Sequence, residues 1–195
     1  MAKSYLLKIT LLDIKPPVWR RFVVPADIKL NELHDVIQMV MGWSGGCFHL
    51  FMMGKNRYTH SFDVDPEFGD IPEGKFTLKN VLPQKGKIKY LYDITGNWMH
   101  EIEVENMNYM NLDSDQTIIC LEGERACPPN DCCIGFGDYE YFCQVITDPA
   151  HEEHETLVKR YDKYYDDSFD PERFNIDEVN QFLQKISTHR TRSRK

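Results

Sequence analysis

The densest chemistry in this chain lies in Gly123-Glu-Arg-Ala-Cys-Pro-Pro-Asn-Asp-Cys-Cys133, where two prolines stiffen the backbone and Cys127, Cys132 and Cys133 follow Arg125. Thiolates are metal ligands and nucleophiles, and a neighbouring guanidinium favours the thiolate over the thiol. With Cys120 upstream and His100 as a nitrogen donor, the residues Cys120, Cys127, Cys132 and His100 form a candidate zinc set. The spacing argues against it, because structural zinc usually takes its cysteines as close C-x2-C pairs, and Cys132 and Cys133 are adjacent. Free cysteine is also a common small core residue. The expectation is therefore no cofactor, with zinc as the alternative. Cys127 beside Arg125 is the candidate for a lowered thiol pKa, and its use as a nucleophile would need His100 or His49 as a base.

A second group of polar residues lies in Tyr90-Leu-Tyr-Asp-Ile-Thr-Gly-Asn-Trp-Met-His-Glu-Ile-Glu-Val-Glu105, which reads as strand, tight turn and returning strand. The expected ligand surface lies where this hairpin meets the cysteine turn, with Arg20, Asp93, Trp98, His100, Glu101 and Arg125 as its candidate residues. Arg125 can grip a carboxylate with two parallel hydrogen bonds, and Asp93 and Glu103 are its expected partners. Glu101, Glu103 and Glu105 alternate as an exposed strand face does, to be paired with Lys87 and Lys89 across the hairpin.

Two further motifs fail on spacing. His151-Glu-Glu-His154 places its histidines three apart, where a zincin needs four, and it reads as a solvated first helical turn. In the acidic loop from Asp63, Phe68 and Gly74 stand where a calcium loop needs glycine and glutamate, so residues 63–74 read as a solvated loop. No phosphate loop, nucleophile elbow or kinase signature is present, and no catalytic residue is assigned.

The elements that must position these groups follow from periodicity. Tyr5, Leu7, Ile9 and Leu11 share one face of a strand in residues 4–14. A second strand, Val18–Val24, sets Arg20 and Phe22 on one face, with Trp19, Arg21 and Val23 on the other. Leu33, Val36, Ile37, Val40 and Met41 form the apolar stripe of a helix over 32–41, capped by Asn31 and ended by Gly42. Residues 48–53 and 57–62 read as a hairpin, 77–82 as one helical turn, 87–93 and 98–105 as the central hairpin, and 117–121 as a short strand. The remainder is helical. Residues 138–147 bury Tyr139, Phe142, Cys143 and Ile146. Asp148-Pro149 opens a helix that buries Leu157, Val158 and Tyr161, and Asn175 with Glu178 caps a last one with Val179, Phe182, Leu183 and Ile186 inward. The fold class is α+β, a mostly antiparallel sheet with one early helix and a C-terminal helical layer.

At 195 residues, 42% hydrophobic and 28% charged, the chain has the balance of one globular domain, placed at 1–188. No apolar run reaches a membrane span and the N-terminus lacks the pattern of a signal peptide, so the protein is read as cytoplasmic, with no membrane partner and reduced thiols. The net charge of −8 makes nucleic acid an unlikely partner by composition. Arg190, Arg192, Arg194 and Lys195 close the chain; taking these 4 from 23 cations leaves 19 against 31 acids, a net of −12. Residues 189–195 are expected to be a disordered basic tail.

Several segments together resemble the plasmid pRiA4b Orf-3-like family. They are Ile14-Lys-Pro-Pro-Val-Trp-Arg-Arg21, Leu33–Trp43, His49-Leu-Phe, Tyr92-Asp…Trp98-x-His-Glu-Ile-Glu-Val-Glu105, and the cysteine turn followed by Gly137-Asp-Tyr-Glu, spanning roughly residues 4 to 185. The resemblance implies an α+β fold and a link with plasmids and mobile elements, and implies no established activity. The family's Tyr-Asp-Phe-Gly-Asp-x-Trp turn here reads Tyr92-Asp-Ile-Thr-Gly-Asn-Trp98, so a metal or acid–base role of that acidic position does not carry over to Asn97. The function expected is a non-enzymatic binding or interaction module for an unknown protein or small ligand, in an unknown oligomeric state. The alternative is a metal-binding protein or enzyme using Cys120, Cys127, Cys132 and His100.

Overall fold

The computed structural model describes residues 3–43, 45–82, 87–110, 118–129, 133 and 135–193, with side chains described as far as residue 187. Eight strands form one sheet: β1 (Ser4–Leu11), β2 (Trp19–Pro25), β3 (His49–Met53), β4 (Asn56–Thr59), β5 (Asp70–Pro72), β6 (Lys87–Tyr92), β7 (Trp98–Tyr109) and β8 (Ile119–Glu124). Their order across the sheet is β5-β4-β3-β6-β7-β1-β2-β8, and only the short β4–β5 pair is parallel. The helices are α1 (Leu30–Met41), α2 (Leu78–Val81), α3 (Phe136–Ile146), α4 (His154–Asp162) and α5 (Ile176–Ser193). This is the α+β architecture that the periodicity implies. No helix among the described residues is long and apolar enough to cross a membrane.

The core follows the alternation in β1, where Tyr5, Leu7, Ile9 and Leu11 are buried, and the stripe of α1, where Leu33, Val36, Ile37 and Val40 lose all exposure. Burial of each such side chain is worth about 1.5–3 kcal/mol, enough to fix which face of each element turns inward. Helix α1 packs on β2 and on α5, and α5 in turn packs on β8. As the outermost strand, β8 would present unpaired backbone groups. Asn180 of α5 covers it, its Oδ1 accepting from the Cys120 amide (2.8 Å) and its Nδ2 donating to the Cys120 carbonyl (3.0 Å).

Several local expectations are corrected. Helix α1 begins at Leu30, capped by Lys29 in extended conformation, whose amide donates to the Glu32 carboxylate at 3.0 Å. Asn31 therefore lies inside the helix, and its buried Oδ1 has no partner among the described residues. Asp148 accepts from the Ala150 amide, but consecutive tight turns at 148–151 and 151–154 delay α4 to His154. Asn175 does cap α5, accepting from the amides of Asp177 and Glu178, while Phe182 points outward. Of the residues expected inside α3, Tyr139 and Phe142 are buried, whereas Cys143 and Ile146 are half-buried. The backbone of α5 is helical to Ser193, within the segment expected to be a tail; its side chains there, and residues 194–195, lie outside the described residues.

The largest departure is the acidic segment 63–74. It does not remain a solvated loop: Asp65 caps a 3-10 turn at Pro66–Phe68, Asp70 starts β5, and Glu73 is buried. The Asp70 carboxylate accepts from Arg57 Nε at 2.7 Å. A buried carboxylate needs a partner to offset its lost hydration, and this segment finds two.

Candidate functional site

The two segments nominated by sequence do meet, through Trp43. Its indole Nε1 donates to the Pro128 carbonyl (2.9 Å), its ring stacks on Tyr92 (4.7 Å) and its edge meets His100 (5.2 Å). The residues gathered there are largely occupied by structure. Arg20 is buried, with Nε donating to the Val40 carbonyl, Nη1 to those of Trp19 and Glu124, and Nη2 to that of Arg125, all at 2.7–2.8 Å. Its guanidinium lies over the Phe174 ring at 4.1 Å. Gly123 makes this stack possible, because a Cβ there would fall 2.6 Å from Arg20 Cδ and 2.8 Å from the Phe174 ring. A cavity of about 260 Å³ adjoins Arg20, Trp43, Cys127, Tyr165 and Phe174.

Arg125 stands in left-handed backbone conformation (φ 67°) and ties the turn to the C-terminal layer. Its expected partners are not the real ones: Nε donates to Glu172 and Nη1 to the Pro16 carbonyl, both at 2.8 Å, rather than to Asp93 or Glu103. Asp93 (φ 55°) instead accepts from the Thr95 amide within its own turn. Trp98 is buried against Gly96, where any Cβ would come within 2.4 Å of the indole Nε1. Glu101 is paired with Lys87 at 2.7 Å, as the hairpin alternation implies.

The proposed zinc ligands are not drawn together. His100 in β7 and Cys120 in β8 are separated by β1 and β2, three inter-strand steps or roughly 14 Å. Register widens the gap, since His100 faces Leu11 while Cys120 faces Phe22. Cys132 lies outside the described residues. Among the described residues no three His, Cys, Asp or Glu side chains converge as metal ligands. Burial pushes the thiols of Cys120 and Cys127 up to about 11, with Arg20 opposing only in part. Cys127 is thus a half-buried thiol and not an activated thiolate, because desolvation outweighs the cation beside it. His100 is fully buried, its pKa lowered to about 4 chiefly by desolvation, with Nδ1 toward the Tyr90 carbonyl at 3.3 Å.

A different cluster lies where α1 crosses β3. His34 and His49 stack with ring centroids 3.6 Å apart, and His49 Nε2 contacts the Glu73 Oε2 at 2.8 Å in a buried pair. Behind them His34 Nδ1 contacts the Tyr90 hydroxyl at 2.8 Å, and Gln38 Nε2 donates to that hydroxyl at 3.0 Å. With Gln38 donating to it, the buried Tyr90 hydroxyl has His34 Nδ1 as the one remaining acceptor for its own proton among the described residues, which places the His34 proton on Nε2. Desolvation, then the neighbouring His49 and His60, lower the His34 pKa to about 3, which keeps the ring neutral. These residues open onto a pocket of about 440 Å³ whose wall also includes Asn31, Asp35, Cys47, His60 and Asp63. Two acceptors of the wall are buried without a partner among the described residues, Glu73 Oε1 and Asn31 Oδ1. Asp35 at the rim has its pKa raised by desolvation first and by Glu73 second.

Sequence reasoning did not find this pocket, although two signals for it existed. His34 precedes Ile37, Gln38 and Met41 by three, four and seven residues, which places it on the buried side of α1. His49 shares the alternation of Phe51 and Met53 in β3. Glu73 gave no local signal, since its burial depends on how the segment after β4 folds back over β3.

An eight-stranded, mostly antiparallel sheet with helices packed on it, and a polar pocket under α1, defines an α+β protein with a preformed cavity. A family model for plasmid pRiA4b ORF-3-like protein matches residues 3–178, and the chain belongs to that family. It is 36% identical over 162 residues to the uncharacterized protein y4hQ of Sinorhizobium fredii, covering 80% of each chain. Among solved structures it is similar to the protein of unknown function MM3350 from Methanosarcina mazei, with a TM-score of 0.79 and 31% identity over 92% of this chain and 98% of that one.

Proposed function

We propose that this protein is a non-enzymatic cytoplasmic binding module, carried among plasmid and mobile-element genes, that takes a small ligand in the pocket of His34, His49 and Glu73. One observation carries the reading: Glu73, only 2% exposed and lining a pocket of small-molecule size, keeps an oxygen without a partner among the described residues. Such a group costs on the order of 1–3 kcal/mol if nothing ever satisfies it, whereas a ligand donor would recover that cost. No disulfide joins two of the described cysteines, in keeping with a reducing compartment. Family membership supports the plasmid association. The alternative built on Cys120, Cys127, Cys132 and His100 has less support, given the strand separation and the high thiol pKa values above.

A fragment library screened against the whole chain by NMR tests the reading. Binders should move the imidazole protons of His34 and His49 and leave those of His100 in place. A library in which no molecule moves the first pair would remove this pocket as the binding site.

A further inference from the structure

Resting on that reading, we infer that the pocket selects a small primary amine carrying a hydroxyl or carbonyl acceptor, its ammonium held by Glu73 and its acceptor by His34. The inventory of the wall points one way. Asp35, Asp63 and Glu73 contribute three carboxylates, and no lysine or arginine lines the pocket among the described residues. The unpartnered atoms Glu73 Oε1 and Asn31 Oδ1 are both acceptors, so the missing counterpart is a donor. A carboxylate held away from water by the fold attracts a cation more strongly than an exposed one does, and Glu73 is such a carboxylate. Asp35 reports the same field, since Glu73 is second only to desolvation among the causes that raise its pKa.

The tautomer of His34 adds the second half of the specificity. With Nδ1 taken by the Tyr90 hydroxyl, Nε2 carries the ring proton and has no partner among the described residues. It can donate to a neutral oxygen and cannot accept from the ammonium, so an amine that also bears an oxygen acceptor matches both groups. A bare divalent cation matches less well, because no three candidate ligands converge among the described residues. An anion would face the three carboxylates of the wall.

Ethanolamine, ethylene glycol and glycolate are two-carbon molecules with a hydroxyl at one end and, at the other, an ammonium, a hydroxyl or a carboxylate. Each is titrated into the full chain near neutral pH, following the imidazole protons of His34 and His49. Ethanolamine should bind at least about tenfold more tightly than the other two, and Glu73→Gln should remove that preference. If Glu73→Gln fails to fold, Asp35→Asn at the exposed rim should weaken ethanolamine and leave ethylene glycol unchanged. Equal binding of the glycol, tighter binding of glycolate, or the same shifts from calcium or zinc alone would overturn the amine assignment while leaving a binding pocket. No response to any probe or fragment would remove the pocket reading itself.

Discussion

Arg20 and Glu73 are equally buried, each about 2% exposed, and each is an ionisable group taken out of water, yet they sit in opposite situations. Arg20 lies in the segment that a reader of the sequence would choose, and four backbone carbonyls with an aromatic ring surround its guanidinium. Glu73 lies in a stretch that reads as a solvated loop, and one of its oxygens has no partner among the described residues. The lesson is that a buried charge is not by itself a site. What distinguishes a site is hydrogen-bonding capacity that the fold leaves open beside a cavity, and in the histidine pocket Glu73 Oε1 and Asn31 Oδ1 both have it.

The largest expected effect comes from acid. His34 and His100 are neutral in the fold, with pKa values near 3 and 4, and return to about 6.5 when unfolded. Between these limits the unfolded chain binds more protons, so their contribution is fully present above pH 6.5 and is lost as pH falls toward 4. Two such rings should cost on the order of 5 kcal/mol between about pH 6.5 and 4.5. Urea denaturation across that range measures it; a His34→Asn chain with an unchanged slope would place the effect elsewhere.

Next in size, Arg20→Leu should destabilise by about 3–5 kcal/mol, since it strands several buried carbonyls, whereas Glu73→Gln should cost under about 2 kcal/mol. Thermal unfolding compares the two, and the reverse order would undo the contrast between an anchored and an open charge. The smallest effect is kinetic. At neutral pH the exposed Cys47 should react with a thiol reagent well before Cys120 and Cys127, whose thiols are held near 11. Mapping of modified peptides by mass spectrometry would show a fast Cys127 if the turn were in fact activated.

Much of the scaffold could be read directly. The alternation of Tyr5 to Leu11 and the stripe from Leu33 to Met41 depend only on local period, and burial imposes that period wherever an element has one wet face. What could not be read depends on distant pairing. Arg125 holds Glu172 and the Pro16 carbonyl, and His49 meets Glu73 across β4 and β5. No spacing rule links such partners. The cysteine turn drew attention because its residue types are reactive in water, but desolvation reverses that reactivity once the turn is packed.

Asn180 has a consequence for the life of the chain. The sheet's last strand is complete only when α5 has come down on it and its amide side chain has mimicked a ninth strand at Cys120. Until the ribosome has released that helix, or after a protease removes it, β8 offers an open row of backbone groups to any extended peptide nearby. A chain ending before residue 176 should therefore expose that edge to strand addition, where the final helix otherwise covers it at Cys120.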